Sequence, residues 1–452
     1  MIAGPSYSLR NRSGSRQRAV NLIPVPIEAS GEVARTAFKD WPGLVLFANI
    51  GLPIRGGYTS NGVTIVVAGS SIYRVDAYGS TTVVGALTSS SGPVDFDSTQ
   101  TQICITDGLN LYVIDRTTNA LTITTGYPGG VRLAVLSEYL FMVERNSGKF
   151  WWSDIGDAST IDGLSFATAE ASPDTLTACI VSSEELLLFG RSTIEPWRVV
   201  GGDDPVAKTG RVIEVGSESP HSIRRLDNSV FFVGSSEEFG KGIVYRLSGY
   251  TPQRISTRAI EEKLSGKDLS NAAGLVFTFE GDSFYVLQVP GLDTTLVYGV
   301  MSGMWFEVAE FVGGAYRPWR GAVHVFGHGH NLIGSSDGKL YRLDAEAKTN
   351  AGDVLCRSRV MPEMRDKAGK WLRFPELRCF CDTGSGGWLM VRWSDDGGNQ
   401  WGDWENVHLG DVGNYGHEVS MHAMGSSDRR VYELRVTDAV PWNPSDVFVR
   451  AV

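Results

Sequence analysis

The stretch Phe231–Leu264, FFVGSSEEFGKGIVYRLSGYTPQRISTRAIEEKL, and its continuation Phe277–Glu307, FTFEGDSFYVLQVPGLDTTLVYGVMSGMWFE, decide the fold class. Apolar pieces at Val230–Gly234, Ile243–Leu247, Leu275–Phe279, Phe284–Val289 and Leu296–Val300 are each of strand length and are closed by Gly, Asp, Pro or Ser. They recur at roughly ten-residue intervals, the rhythm of antiparallel strands joined by tight turns rather than of strands separated by helices. The chain is therefore expected to be all-β.

Working outward, the same layout recurs at Val63–Leu87, Gln102–Thr124 and Leu133–Ile155, each with an apolar strand, a Gly/Ser/Asp turn and a second strand of φ-Tyr/Phe-x-Val type, where φ is apolar. Further versions lie at Leu176–Val200, Ile223–Leu247, Val276–Val300 and Val323–Leu343. Successive meanders spaced by roughly 30–50 residues predict the blades of a β-propeller, with a stack of β-sandwiches as the rival architecture. One short helix is expected over Thr257–Leu264, capped by Ser256 or Thr257.

The ends differ in texture. Residues 1–44 read as an extended arm, with Arg10, Arg12, Arg16 and Arg18 in a Ser-rich setting and Pro24 and Pro26 disfavouring helix. Two readings of these arginines stand side by side: a docking segment for DNA or an acidic partner, and a solvated arm. On the docking reading, removing residues 1–19 would prevent assembly and leave the melting of the propeller unchanged. Residues 45–352 form the propeller-like domain. After MPEMRDKAGKW the texture shifts, and residues 353–452 form a C-terminal β-sandwich-like domain with strands at Phe374–Phe380, Trp388–Trp393, Val431–Val436 and Val447–Val452.

Composition narrows the function classes. Among 452 residues, 42% are apolar and only 20% charged, with 12 Trp, 15 Tyr and 19 Phe, enough to pack a large interior. A net charge of −10 argues against gripping nucleic acid through phosphate neutralisation, yet is compatible with a wall past which DNA slides. The five Cys, with Cys379 and Cys381 two apart on one strand face, read as free thiols of a reducing cytosol. No apolar run approaches the roughly 20 residues needed to span a bilayer, and the N-terminus lacks a signal-peptide core.

Ser394, Asp396, Gly398 and Trp401 in SDDGGNQW match the S-x-D-x-G-x-x-W pattern of an Asp box. Such boxes occur in sialidases, which raises a glycan-binding or glycan-hydrolysing propeller as the alternative function. The motif is a folding device in itself, and Trp401 is expected to tuck beneath a hairpin turn. Trp151–Trp152 and Trp401–Trp404 are candidate carbohydrate platforms or subunit-interface anchors. His324, His328 and His330 sit on Gly-flanked text without a convincing further ligand. Acidic pairs such as Glu184–Glu185 read as solvated turns. There is no G-x-S-x-G, H-E-x-x-H or P-loop, so no catalytic residue, metal or cofactor is expected.

The wording of the chain resembles the tail hub or nozzle proteins of short-tailed phages, the packaged-DNA stabilisation family. The likeness runs through RAVNLIPVPIEASGE (Arg18–Glu32), WPGL (Trp41–Leu44), PIRGGY (Pro53–Tyr58), Ser70–Gly85 and Thr106–Asp115. It is most specific over Trp151–Gly202 and continues through Pro252–Leu264 and Phe284–Glu307, so that it covers about residues 18–310. GVMSGMWFE departs from the family by lacking an Asp before the turn and a His after the Trp, and the C-terminal third matches less clearly. The resemblance implies a non-enzymatic virion protein, assembled in the host cytosol, with typically six copies in a ring beneath the portal and its adaptor ring. Such a ring extends the DNA channel, helps retain and then conducts the packaged double-stranded genome, and contacts tail spikes or fibres.

Overall fold

In the computed structural model, the described residues are 7–8, 16–27, 35–169, 174–202, 204–236, 240–366 and 368–452. Their meanders form separate four-stranded antiparallel sheets over residues 54–86 (blade 1), 95–123 (blade 2), 133–168 (blade 3), 176–208 (blade 4) and 224–254 (blade 5). Blade 6 (273–312) and blade 7 (321–344) complete a ring of seven. Inner strands such as Val63–Ala68, Gln102–Thr106 and Glu185–Gly190 are buried almost throughout, because a neighbouring blade covers each face. The fourth strands, such as Thr81–Ala86 and Leu121–Ile123, are largely exposed, and their Thr-rich text fits a solvated edge. Two-residue turns with both residues at positive φ, Asn61–Gly62 and Asp227–Asn228, match the twist of the strands they join.

A separate apolar cluster fills each junction between blades, for instance Ile65 and Val67 against Ile103 and Tyr112, or Phe189 against Phe232. The ring closes through Gly43–Asn49, which pairs with Lys339–Asp344 (Leu44 opposite Leu343) and becomes the outer strand of blade 7. The innermost strands converge closely: a Cβ on Gly56 would lie 2.4 Å from the Val94 side chain.

Blade 6 does not end at its fourth strand. Beyond Met304–Val312 its sheet continues through Arg16–Val20, Arg357–Val360, Arg429–Val436, Trp388–Ser394 and Glu405–His408. Facing this extension, Glu376–Phe380 pairs with Val419–His422 on one side and Asp446–Arg450 on the other, giving the second layer of a C-terminal sandwich. Leu389, Val391, Tyr432 and Leu434 pack with Leu377, Cys379, Met421 and Val447 in one cluster, which also contains Trp41, Phe277, Phe284 and Phe306 of the propeller side.

The described residues of the extended arm are built into the sheets. Arg16–Val20 is an interior strand, antiparallel to Arg357–Val360 and parallel to Met304–Val312, while Leu22–Ile27 and Arg35–Asp40 form a hairpin over the core. A cut between residues 44 and 45 falls inside the closing strand of blade 7, and the propeller and C-terminal segments share a sheet. Pro24 and Pro26 sit in the two-stranded hairpin, where a missing N–H is tolerated. The helix spans Arg258–Leu264 with Thr257 at its N-cap position, but the side-chain bond at this end comes from Ser256, whose hydroxyl donates to Glu261 at 2.6 Å.

One residue holds the joint. Asn21, fully buried with φ 55°, adopts the left-handed conformation that Asn tolerates better than most side chains. Its Nδ2 donates to the Ala309 and Cys356 carbonyls at 2.9 and 2.8 Å, and its Oδ1 accepts from Ala309 N at 2.9 Å. Its backbone N–H donates to Glu307 O at 2.8 Å and its carbonyl accepts from Trp41 N at 3.0 Å. Trp41 then sits edge-on among Phe277, Phe284 and Trp319, with ring centroids 5.6–6.0 Å apart. Gly43 follows because a Cβ there would stand 2.4 Å from the Ala347 carbonyl.

Asn21→Ala removes three side-chain hydrogen bonds and strands buried partners at Ala309 and Cys356, each worth about 1–3 kcal/mol. We expect denaturant unfolding to show a loss of roughly 3 kcal/mol or more; a change within about 0.5 kcal/mol, as at an ordinary surface site, would contradict this account. For the same reason, removing residues 1–19 is now expected to lower the melting temperature, since it takes out most of an interior strand.

Candidate functional site

Alternation along the extended sheet separates two faces. Ala19, Arg359, Leu434 and Val391 point to the core side, where Arg359 lies 5.0 Å over the Phe38 ring. Arg18, Ser358, Glu433, Arg435 and Arg392 occupy the other face. There Glu433 gathers three donors: Ser358 Oγ and Arg435 Nη2, both at 2.9 Å, and Arg392 Nε at 2.8 Å. The cations also stack on rings. Arg392 lies 4.8 and 4.3 Å from the Trp401 and Trp404 centroids, Arg435 4.4 Å from Trp404, and Arg18 4.9 Å from Tyr316. The resulting ladder of ion pairs and cation–π contacts runs from the C-terminal sandwich to blade 6.

At the propeller end stands Glu307, which is buried. It accepts from Arg18 Nε and Nη2 at 3.0 and 2.9 Å, Lys263 Nζ at 2.7 Å and Thr294 Oγ1 at 2.7 Å. Burial alone would raise its pKa, but the Arg18 and Lys263 charges outweigh that and hold it at about 2. Burial likewise opposes the Arg18 charge, and Glu307 more than compensates, so the guanidinium is raised above its ordinary value.

The structure scatters the residues singled out in the sequence. Arg10 and Arg12 lie outside the described residues, and Arg16 opens the interior strand opposite Ser8. Arg18 is engaged with Glu307 rather than presented on an arm. At the Asp box, Ser394 Oγ donates to Asp396 Oδ1 at 2.6 Å and accepts from Gly398 N at 2.8 Å, while Asp396 Oδ1 accepts from Asn399 N at 2.7 Å and Gln400 N at 3.0 Å. The tryptophans are not open platforms: Trp152 is buried, Trp151 leans on Phe166, and Trp401 and Trp404 are half-buried against Arg392.

The three histidines diverge. His324 meets Asn331 at 2.9 Å and burial lowers its pKa to about 4, His328 meets the Val75 carbonyl at 3.0 Å, and His330 faces Phe47. Glu184 takes a positive-φ turn position, and Glu185 accepts from Tyr250. The five Cys are free, four of them buried. Glu307, Lys263 and the buried or half-buried arginines Arg132 and Arg224 escaped the sequence reading. The available signal was the pair of carboxylates, Glu307 and Glu310, inside the mainly apolar strand MWFEVAEFV.

Because the folded pKa of Glu307 lies below its ordinary 4.5, its ion pairs stabilise the protein above that pH, and the contribution fades as pH falls from about 4.5 to about 2. Glu307→Gln should therefore lower stability clearly at pH 7, with the gap to the unmutated chain shrinking at pH 3. Urea unfolding at both pH values checks this, and a gap independent of pH would refute it.

No curated protein sequence matches the chain. Among solved structures it is similar to the computationally designed Ika8 protein, at 13% identity over 67% of this chain and 99% of that one, with a TM-score of 0.39. It is also similar to the Pan2 WD40 domain of Neurospora crassa, at 7% identity over 64% of this chain and 88% of that one, with a TM-score of 0.42. A third likeness is to the extracellular domain of the one component system BT4673 of B. thetaiotaomicron, at 9% identity and a TM-score of 0.45; it covers 79% of this chain but only 47% of that one. The family model described as "Bacteriophage P22 Gp10, beta-propeller" matches residues 2–348, the shared interior strand and all seven blades included. The chain therefore belongs to the P22 Gp10 β-propeller family, structural phage tail proteins that stabilise packaged DNA.

Proposed function

We propose that the chain is a tail nozzle subunit. Six copies close into a ring beneath the portal and its adaptor, extend the DNA channel, retain the packaged genome, conduct it during ejection and carry spikes or fibres. The observation that carries this reading is the family match over residues 2–348. Supporting it, the propeller and C-terminal sandwich share one sheet and one apolar cluster, so inter-strand hydrogen bonds and packing couple the two. The net charge of −10 suits a lumen that double-stranded DNA crosses without adhering. Exposed apolar side chains on blades 2 and 3, such as Leu109, Ile123 and Leu164, offer material for contacts between copies or with other tail components.

The alternative glycan reading draws on the Asp box at Ser394–Trp401; the tryptophans named as platforms pack against Arg392 or lie within blade 3.

Particle imaging of the purified chain, alone and mixed with its portal–adaptor complex, tests the nozzle. A six-fold tube with a bore wide enough for a duplex is the expected result. Monomers that ignore the portal–adaptor complex would overturn the reading.

A further inference from the structure

The propeller encloses a cavity of its own along its axis, about 390 Å³, lined by the innermost strands. Arg55, Arg132 and Arg224 line it, together with His221 and His324, and Asp95 is the lining carboxylate. This is an unusual concentration of positive charge at the centre of an acidic protein.

Local partners leave that charge incompletely answered. Arg55 is buried and makes all its hydrogen bonds to neutral groups: the Gly92, Gly69, Ser89 and Ser91 carbonyls and the Ser89 hydroxyl. Arg224 donates to the Gly274 and Ile223 carbonyls. Arg132, 6% exposed, stands 3.2 Å from an Asp95 oxygen, yet its Nε and Nη1 have no acceptor in hydrogen-bonding geometry. Asp95 is itself engaged by Leu133 N at 2.9 Å. The nearby Asp97 accepts from Val135 N at 2.7 Å; burial raises its pKa to about 6, so at pH 7 it is mostly ionised and, with Asp95, sets two carboxylates against three guanidinium groups. An unsatisfied buried guanidinium is costly, and a polar cavity of this size admits an ion and its water.

We propose that the axial cavity is an anion site that takes a phosphate-sized oxyanion, held by Arg132 and Arg224 and reached from the neighbouring funnel. The funnel, about 480 Å³, shares Pro93 and His221 with the cavity, and its wall carries Arg145 and Arg191 together with Asp107 and Glu218. The potential is visible in the lining groups. Burial, reinforced by Arg132, lowers Arg224 to about 10; burial, reinforced by Arg132 and Arg224, lowers His221 to about 4. The bound anion supplies the acceptors that Arg132 lacks and ties blades 3 and 5 together across the axis, independently of any role in the tail.

Titration calorimetry of the full chain with inorganic phosphate, at pH 7 and constant ionic strength in chloride, tests the site. Saturable one-site binding is expected, weakened at least tenfold in Arg132→Gln and unchanged in Arg450→Gln, which alters an exposed position on the C-terminal sandwich. The melting temperature should rise in phosphate relative to chloride for the unmutated chain and not for Arg132→Gln. Should Arg132→Gln fail to fold, Arg224→Gln takes its place in both measurements. Absence of saturation below about 10 mM phosphate, tenfold above a 1 mM Kd, would overturn the proposal, as would undiminished affinity in the arginine variant.

Discussion

The buried Asn21 amide is the constraint on which the rest of the molecule depends. It stands where the outer edge of blade 6, the bend between Val20 and Leu22 and the entry to the C-terminal sandwich meet, and its side chain satisfies backbone groups of Ala309 and Cys356 at once. A backbone edge buried at such a junction must find partners or forfeit the energy of its hydrogen bonds. Asn answers with a donor and an acceptor on one short side chain, in a left-handed conformation that leads the chain into the hairpin carrying Trp41. The aromatic cluster around Trp41 then joins blades 6 and 7 to the N-terminal hairpin.

From that joint follows the mechanical character of the protein. A propeller closed by a strand near the start of the chain resists opening, because separating the closing strand breaks a full ladder with Lys339–Asp344. Here the adjacent blade is also fused edge-to-edge with a second domain. Arg357, fully buried, adds a cross-brace: its guanidinium bonds Asp40 of the hairpin and the Val440 and Asp438 carbonyls near the C-terminus. Buried charges of this kind contribute little net stability but demand one arrangement, since any other leaves them unpaired. The polar face of the shared sheet works similarly, with Glu433 and Glu307 as acceptors and Trp404 and Tyr316 as ring surfaces for the arginines.

What was legible in the sequence was local. Alternating apolar pieces and turn residues mark strands because side-chain direction has period two and because Gly, Asn and Asp relieve the strain of positive φ, as at Asn61–Gly62. The Asp-box turn was readable for the same reason: its hydrogen bonds run between residues 394 and 400. Arg18 was not, since its partner Glu307 is 289 residues away and nothing within a short window distinguishes an arginine in solvent from one in a buried pair. The tryptophan pairs were open to two readings for a related reason, as aromatic pairs read alike whether they face water or a guanidinium.

The sequence by itself determined an all-β chain of meanders, the short helix near residue 260, the turn chemistry and, through the order of its motifs, the family. Those features depend on contacts within a few tens of residues, where spacing dictates geometry. Tertiary structure alone decided that there are seven blades, that Gly43–Asn49 closes the ring, that Arg16–Val20 is an interior strand joining two domains, and that three arginines line one central cavity. Each of these brings together residues separated by tens to hundreds of positions, and the free energy that selects them comes from joint burial and pairing, which no local stretch of the chain contains.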